Sequence, residues 1–96
     1  MVTKEQFLQF LTHHKGFLAQ VDKIEEIFGK GFGDTPLCEE AYWLMDLFME
    51  SNFDEVGRDA YYEWLYEERT EQEIDGVTYE FNGADDMWNF LEKHRT

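Results

Sequence analysis

Phe7, Phe10, His14, Phe17, Val21, Ile24 and Phe28 recur at alternating steps of three and four residues without losing phase. Only a continuous α-helix keeps side chains at that spacing on one face. A turn at "HHKG" would reset the phase, so the pattern predicts one helix over residues 4–28. That helix runs through Gly16, although a glycine in a helix interior costs about 1 kcal/mol relative to Ala. Thr3 followed by Gln6 reads as a capping box at its start, and Gly29, Gly31 and Gly33 end it.

In "GDTPLCEE", Thr35 fits an N-cap and Pro36 the first helical position, where its missing N–H is harmless. A second helix is therefore expected from 36 to about 50. On a wheel at 100° per residue it is apolar nearly all round, from Leu37, Ala41, Leu44 and Phe48 through Met45, Cys38 and Met49 to Trp43 and Leu47. Glu39, Asp46 and Glu50 leave a narrow polar strip, with Glu40 at an apolar flank. Such a helix is expected to be central and wrapped by others. Trp43, Trp64 and Trp88 are read as core or core edge.

A third helix follows "ESN", where Ser51 or Asn52 is expected to cap and Glu55 stands three after Asn52. Phe53, Val56, Ala60 and Trp64 are expected to face inward, with Tyr61 and Leu65 widening that face. After Arg69 the helical period fails. "EIDGVTYEF" then offers Asp75-Gly76 as a tight turn between short strands, a hairpin that must lean on helices to be stable. Asn82 is the expected cap of a last helix, with Asp85 and Asp86 in its first turn, Lys93, His94 and Arg95 in its last, and Met87, Trp88 and Leu91 facing inward. No internal repeat or linker appears. The expectation is one mainly α, compact four-helix domain over residues 1–96, with a long N-terminal helix, a central buried second helix and a small β-hairpin before the last helix.

A chain of 96 residues has room for one core, and its aromatic content of 18% supplies that core well despite the charge. Through residue 33, four lysines balance four acids; beyond it, 18 acids face only Arg58, Arg69, Lys93 and Arg95, which accounts for the whole net charge of −14. A surface of that sign repels nucleic acid, whose binding needs Lys and Arg, and attracts basic surfaces. No apolar run approaches the roughly 18 residues of a membrane span. "MVTKEQF" lacks the build of a signal peptide, so a cytoplasmic location is expected.

The residues offer little for catalysis. Cys38, the only cysteine, excludes an intramolecular disulfide and a cysteine-rich zinc site and reads as a small core hydrophobe. His14 lies on the apolar line and reads as a core histidine; His13 is expected in solvent and His94 in support of a helix C-terminus. No HExxH, EF-hand or Walker sequence occurs, and "GKGFG" reads as a connector. No pair of carboxylates is picked out by a partner or pocket motif. The expectation is a protein that is not an enzyme, with no catalytic residue, metal ligand or cofactor. Divalent-cation binding by clustered carboxylates is a third class, not expected.

The feature with functional content is "DEVGRDAYYEWLYEE", which sets Glu55, Asp59, Glu63 and Glu67 four apart on one helix ridge. Neighbours at that spacing repel by about 0.2 to 0.5 kcal/mol each. Steps of four rise ~6 Å, a pitch similar to that of successive phosphates along a nucleic-acid strand. Asp54, Glu68, Glu71 and Glu73 thicken the region, and Tyr62 and Tyr66 lie among the acids, where exposed tyrosines often anchor an interface. The alternative reading is a solvated face that keeps the chain soluble; such a face usually mixes signs, whereas here Arg58 and Arg69 are the only basic residues between Lys30 and Lys93.

The run "FMESNFDEVGRDAYYEWLYEE", and residues 40 to 68 in general style, resemble small acidic proteins encoded by tailed bacteriophages. The resemblance carries no site residues over. It implies a class whose members inhibit host defence or DNA-processing factors, restriction and CRISPR effectors among them, some by DNA mimicry. Together these readings predict a non-enzymatic acidic binding protein of the cytoplasm, and what the resemblance implies is a phage inhibitor that mimics nucleic acid, acting in the host cytoplasm if the chain is phage-encoded. Asp54, Glu55, Asp59, Glu63 and Glu67 would supply charge and Tyr62 and Tyr66 contact area against a basic, nucleic-acid-binding protein surface, with no direct binding of nucleic acid or membrane. The alternative is an adaptor or assembly protein whose hydrophobic surface around Trp43, Met45 and Met49 forms a homodimer or recruits a partner.

Overall fold

The expected capping box opens the first helix in the computed structural model, which describes residues 1–31 and 35–96. Gln6 N–H donates to Thr3 Oγ1 at 3.2 Å, and Thr3 N–H donates to Gln6 Oε1 at 3.0 Å. Helix α1 then spans Lys4–Phe28, passing through Gly16 as the phase of its apolar residues requires. It ends where Gly29 takes a φ of +97°, in the left-handed region glycine tolerates. Gly29 N–H still donates to the Glu25 carbonyl at 2.8 Å. Gly33 and the side chain of Leu37, both used in the sequence reading, lie outside the described residues.

The chain divides into two units, Met1–Phe48 and Met49–Thr96. The first holds α1 and most of α2, which spans Pro36–Asn52. Phe7, Leu11, His14 and Val21 of α1 are buried. Phe10 stacks on Phe48 with centroids 3.9 Å apart, and Phe17 meets the edge of Tyr42 at 5.0 Å. Because 10 meets 48 and 17 meets 42, the helices run antiparallel.

Helix α2 is not wrapped on all sides, which corrects the expectation of a central buried helix. Cys38 and Met49 are buried, but Trp43 and Leu44 are 63% and 61% exposed and Leu47 is exposed as well. Within its unit α1 is the only helix that can cover it, and one helix shields only one side of another. The apolar circumference of α2 thus exceeds what α1 covers, and Trp43 is not a core residue. Likewise Ile27 and Phe28, the last apolar residues of α1, lie in solvent.

The second unit contains α3 (Glu55–Tyr66), β1 (Glu71–Ile74), β2 (Val77–Glu80), α4 (Ala84–Leu91) and a 3₁₀ turn over Glu92–His94. Asp75 and Gly76 both have positive φ, +53° and +80°, the geometry of a type I′ hairpin turn. The strands pair antiparallel with Gln72 opposite Tyr79 and Ile74 opposite Val77. Phe53, Ala60, Tyr61, Phe81, Met87, Trp88, Phe90 and Leu91 form the core. Val56, expected inside, is exposed at the first turn of α3, and Gly57 is buried instead.

Two caps differ from expectation. Asn52 is the last residue of α2, and α3 is capped by Asp54, whose Oδ1 accepts from Gly57 N–H at 2.9 Å. Helix α4 is preceded by Gly83 without a side-chain cap; Asn82 instead donates its N–H to Asp86 Oδ2 at 3.0 Å. In both places the chain is held by a tertiary contact or a later carboxylate. The carboxy-terminal residues return to the α2–α3 junction: Asp54 N–H donates to the His94 carbonyl at 2.7 Å and Thr96 N–H to the Asn52 carbonyl at 3.2 Å.

Among the described residues no helix is long and apolar enough to cross a membrane.

Candidate functional site: the acidic face of helix α3

Helix α3 has Gly57, Ala60 and Tyr61 on its buried side. At its amino end a Cβ on Gly57 would lie 3.0 Å from His94 Cβ and 3.2 Å from Leu91 Cδ2, so α4 and the 3₁₀ turn press directly on its backbone. Asp54, which caps it, also accepts from His94 Nδ1 through Oδ2 at 3.1 Å. Burial pushes the Asp54 carboxyl up, but hydrogen bonds from Gly57 N–H and His94, with the charge of His94, outweigh it and hold the group below its ordinary value. Asp54 was expected as part of the binding face; the structure also makes it the anchor of the helix.

Further along, the hairpin grips the same helix. Gln72 is 6% exposed, and its Nε2 donates to the carbonyls of Ala60 at 3.0 Å and Arg69 at 3.1 Å. Trp64 Nε1 donates to the Phe81 carbonyl at 3.0 Å. The start of α3 is thus tied to His94 and its later turns to Gln72 and Phe81.

The other side carries the acids. Glu55, Asp59 and Glu63 are exposed within the helix, and Glu67 is exposed at its C-cap, where helical backbone persists and its N–H donates to the Glu63 carbonyl at 3.1 Å. The four span ~18 Å along the axis and turn gradually around it, about 40° per step. Among the described residues none of the four pairs with a basic side chain. Arg58, the base inside this helix, turns away and donates from Nη1 to the Phe53 carbonyl at 2.9 Å. Glu68, Glu71 and Glu73 are also exposed, and Glu71 stands directly opposite Glu80 in the hairpin, a like-charge pair that disfavours the strand pairing.

Tyr62 and Tyr66, one turn apart, stack at 5.7 Å with their planes 19° from parallel. Tyr66 is 41% exposed and Tyr62 half-buried, with its ring edge-on to buried Tyr61 at 5.6 Å. Burial pushes the Tyr61 phenol well above its ordinary value, with the nearby Tyr66 and Tyr62 adding to the shift. The pair therefore forms a flat aromatic step beside the acid row, supported from within.

The histidines lie elsewhere in function. His14 is fully buried beside Phe10, and burial lowers its pKa to about 4 against an opposing effect of Asp46. His13 is exposed. His94, in the last turn of the 3₁₀ segment that follows α4, lies on the ring of Phe90 at 4.4 Å and also reaches the start of α3 through Asp54. Among the described residues no three His, Cys, Asp or Glu side chains converge as metal ligands would.

Comparison with protein-family models, with curated proteins and with solved structures finds no match to this chain.

Sequence reasoning missed Gly57, Gln72 and the Asp54–His94 contact, the groups that fix the acidic helix in place. Gly57 carried a readable signal, a glycine in an otherwise strong helix, which can mark close approach of another element. Gln72 carried none, because a polar residue in a strand of Glu and Gln gives no sign that it turns inward.

Proposed function

We propose that the protein is a non-enzymatic inhibitor that docks the acidic face of α3 on a basic protein surface which otherwise holds nucleic acid. The observation that carries this reading is the row Glu55, Asp59, Glu63 and Glu67, exposed and without basic partners among the described residues, on a helix tied to its surroundings at both ends. A flexible acidic tail would lose entropy on docking; a fixed row loses little. Measured along the axis, one carboxylate per ~6 Å of helix stands against one phosphate per ~3.4 Å of a DNA strand, so the expected match of pitch is partial and the line density is somewhat over half. Glu68, Glu71 and Glu73 raise it further.

Lys and Arg grooves built for phosphates accept such a row by the same charge-assisted contacts, while the Tyr62–Tyr66 step supplies area that charge alone does not. The like-charge repulsion within the row is relieved when cations approach, which favours the complex over the free protein. The resemblance to small phage proteins fits an inhibitor of a host defence or DNA-processing factor in the bacterial cytoplasm.

The test is capture of proteins from a bacterial lysate on immobilised chain at low and high salt. Basic nucleic-acid-binding proteins should be retained at low salt, released by salt and displaced by duplex DNA. The double variant Asp59→Lys, Glu63→Lys should lose them while keeping its helical circular dichroism. Equal capture by the variant refutes the assignment.

A further inference from the structure

Tyr62 and Tyr66 belong to the same side of α3 as the acids: at about 100° per residue, each stands about 20° from Glu55 around the axis. Their rings stack at 5.7 Å with planes 19° from parallel, and Tyr62 packs edge-on to buried Tyr61 at 5.6 Å. Tyr66 has Tyr62 on one side and is still 41% exposed, which leaves ring surface for a partner. Asp59 and Glu63 each precede one of these tyrosines by three residues, a spacing that makes side chains neighbours on a helix, and both acids are exposed. Each ring therefore has a carboxylate at its border.

An aromatic face beside a carboxylate matches one cation better than others. A guanidinium is planar and more weakly hydrated than an ammonium, so it lies flat on a ring while the N–H groups at its edge donate to a carboxylate. A lysine ammonium is a compact, strongly hydrated point charge; it gains from the acids but covers little of a ring. The contact occurs within the chain itself, where the Arg95 guanidinium lies 5.0 Å from the centre of the Trp88 ring. A nucleobase would also stack on tyrosine. Its phosphates, however, would meet residues 49–96, which hold 14 acids against four bases.

We infer that the acidic face selects arginine over lysine, and that its docking partner presents an arginine whose guanidinium lies on Tyr66 and donates to Glu63. This rests on the reading that α3 docks on a basic protein surface, and adds to it the identity of the cation. Because the two tyrosines already stack, little side-chain freedom is lost when the guanidinium arrives.

The experiment measures binding of the full chain to two labelled peptides of equal length and charge, carrying about six arginines or about six lysines spaced by glycine and serine, by fluorescence anisotropy at about 0.05 M and 0.2 M salt. Both should bind at the lower salt and weaken at the higher, as the docking reading requires. Carboxylates alone favour arginine through paired hydrogen bonds, so the decisive quantity is the part of the arginine preference that depends on the ring. Tyr66→Leu should keep its circular dichroism and lower the arginine-to-lysine affinity ratio about 2- to 5-fold, the strength of one guanidinium–ring contact at an exposed site. Tyr66→Phe, which keeps the ring, should retain the wild-type ratio. If neither peptide binds the folded wild type, the docking reading falls and this inference with it. If both bind but Tyr66→Leu keeps the wild-type ratio, or if single-stranded DNA binds in a way that needs Tyr66, the assignment of arginine alone is overturned.

Discussion

Reversing Asp59 should make the protein more stable while destroying the face proposed to bind. Asp59 stands one turn from both Glu55 and Glu63, all three exposed and none paired with a base among the described residues. Its two like-charge contacts cost about 0.2 to 0.5 kcal/mol each. Lysine removes both and replaces them with two attractive contacts of similar size, a total of about 0.8 to 2 kcal/mol. Asp59→Gln is the control, because Gln and Lys have nearly equal helix propensities. The Lys variant should therefore exceed the Gln variant by roughly 0.4 to 1 kcal/mol, the attraction alone. For a chain of this size 1 kcal/mol corresponds to about 4 to 8 °C in Tm. Urea melts are the suitable assay, since guanidinium chloride would screen the effect under study. In about 1 M salt, where the screening length is ~3 Å, the Lys–Gln difference should largely vanish. A Lys variant no more stable than the Gln variant at low salt, or a difference indifferent to salt, would show that these carboxylates do not act on one another and would remove the physical basis of the acidic row.

Two glycine substitutions should move stability in opposite directions: Gly16→Ala, in open space, should raise it by about 1 kcal/mol, whereas Gly57→Ala should lower it, because the added carbon meets His94 Cβ at 3.0 Å, and paired thermal melts will check the signs. His14, fully buried with a pKa of about 4 against 6.5 in the unfolded chain, contributes stability that is whole above pH 6.5 and is lost as pH falls to 4. Urea melts across that window should show the wild type losing up to ~3 kcal/mol relative to His14→Gln, which has no imidazole to protonate. Asp54→Ala removes the cap of α3 and the partner of His94 and should cost about 1 to 2 kcal/mol, read as a lower urea midpoint with an unchanged slope.

The local elements were legible because local chemistry makes them. The Thr3–Gln6 box, the phase of apolar residues through Gly16 and the Asp75-Gly76 turn each act within a few residues, and each appears where the sequence places it. The buried character of His14 and Cys38 was equally readable from their apolar surroundings. Asn52 as a cap of α3 failed for an instructive reason: α2 continues through it, and the capping task passes to Asp54, which can also reach His94, 40 residues away. The breadth of apolar residues on α2 misled in the other direction. Periodicity reports which residues are apolar, and only the number of elements packed around a helix decides how many of them are covered.

The helices and hairpin, the sign and location of the charge, and the four-residue spacing of Glu55, Asp59, Glu63 and Glu67 are all readable along the chain, because propensity, caps, turns and charge are properties of neighbouring residues. Only long-range packing ties the ridge to the rest of its unit, through Gly57 against Leu91 and His94 and through Gln72 on the Ala60 carbonyl. It also decided that Trp43, Leu44 and Leu47 stay in solvent. Those outcomes depend on which surfaces meet across long stretches of chain, and no pattern within a single helix or strand records that.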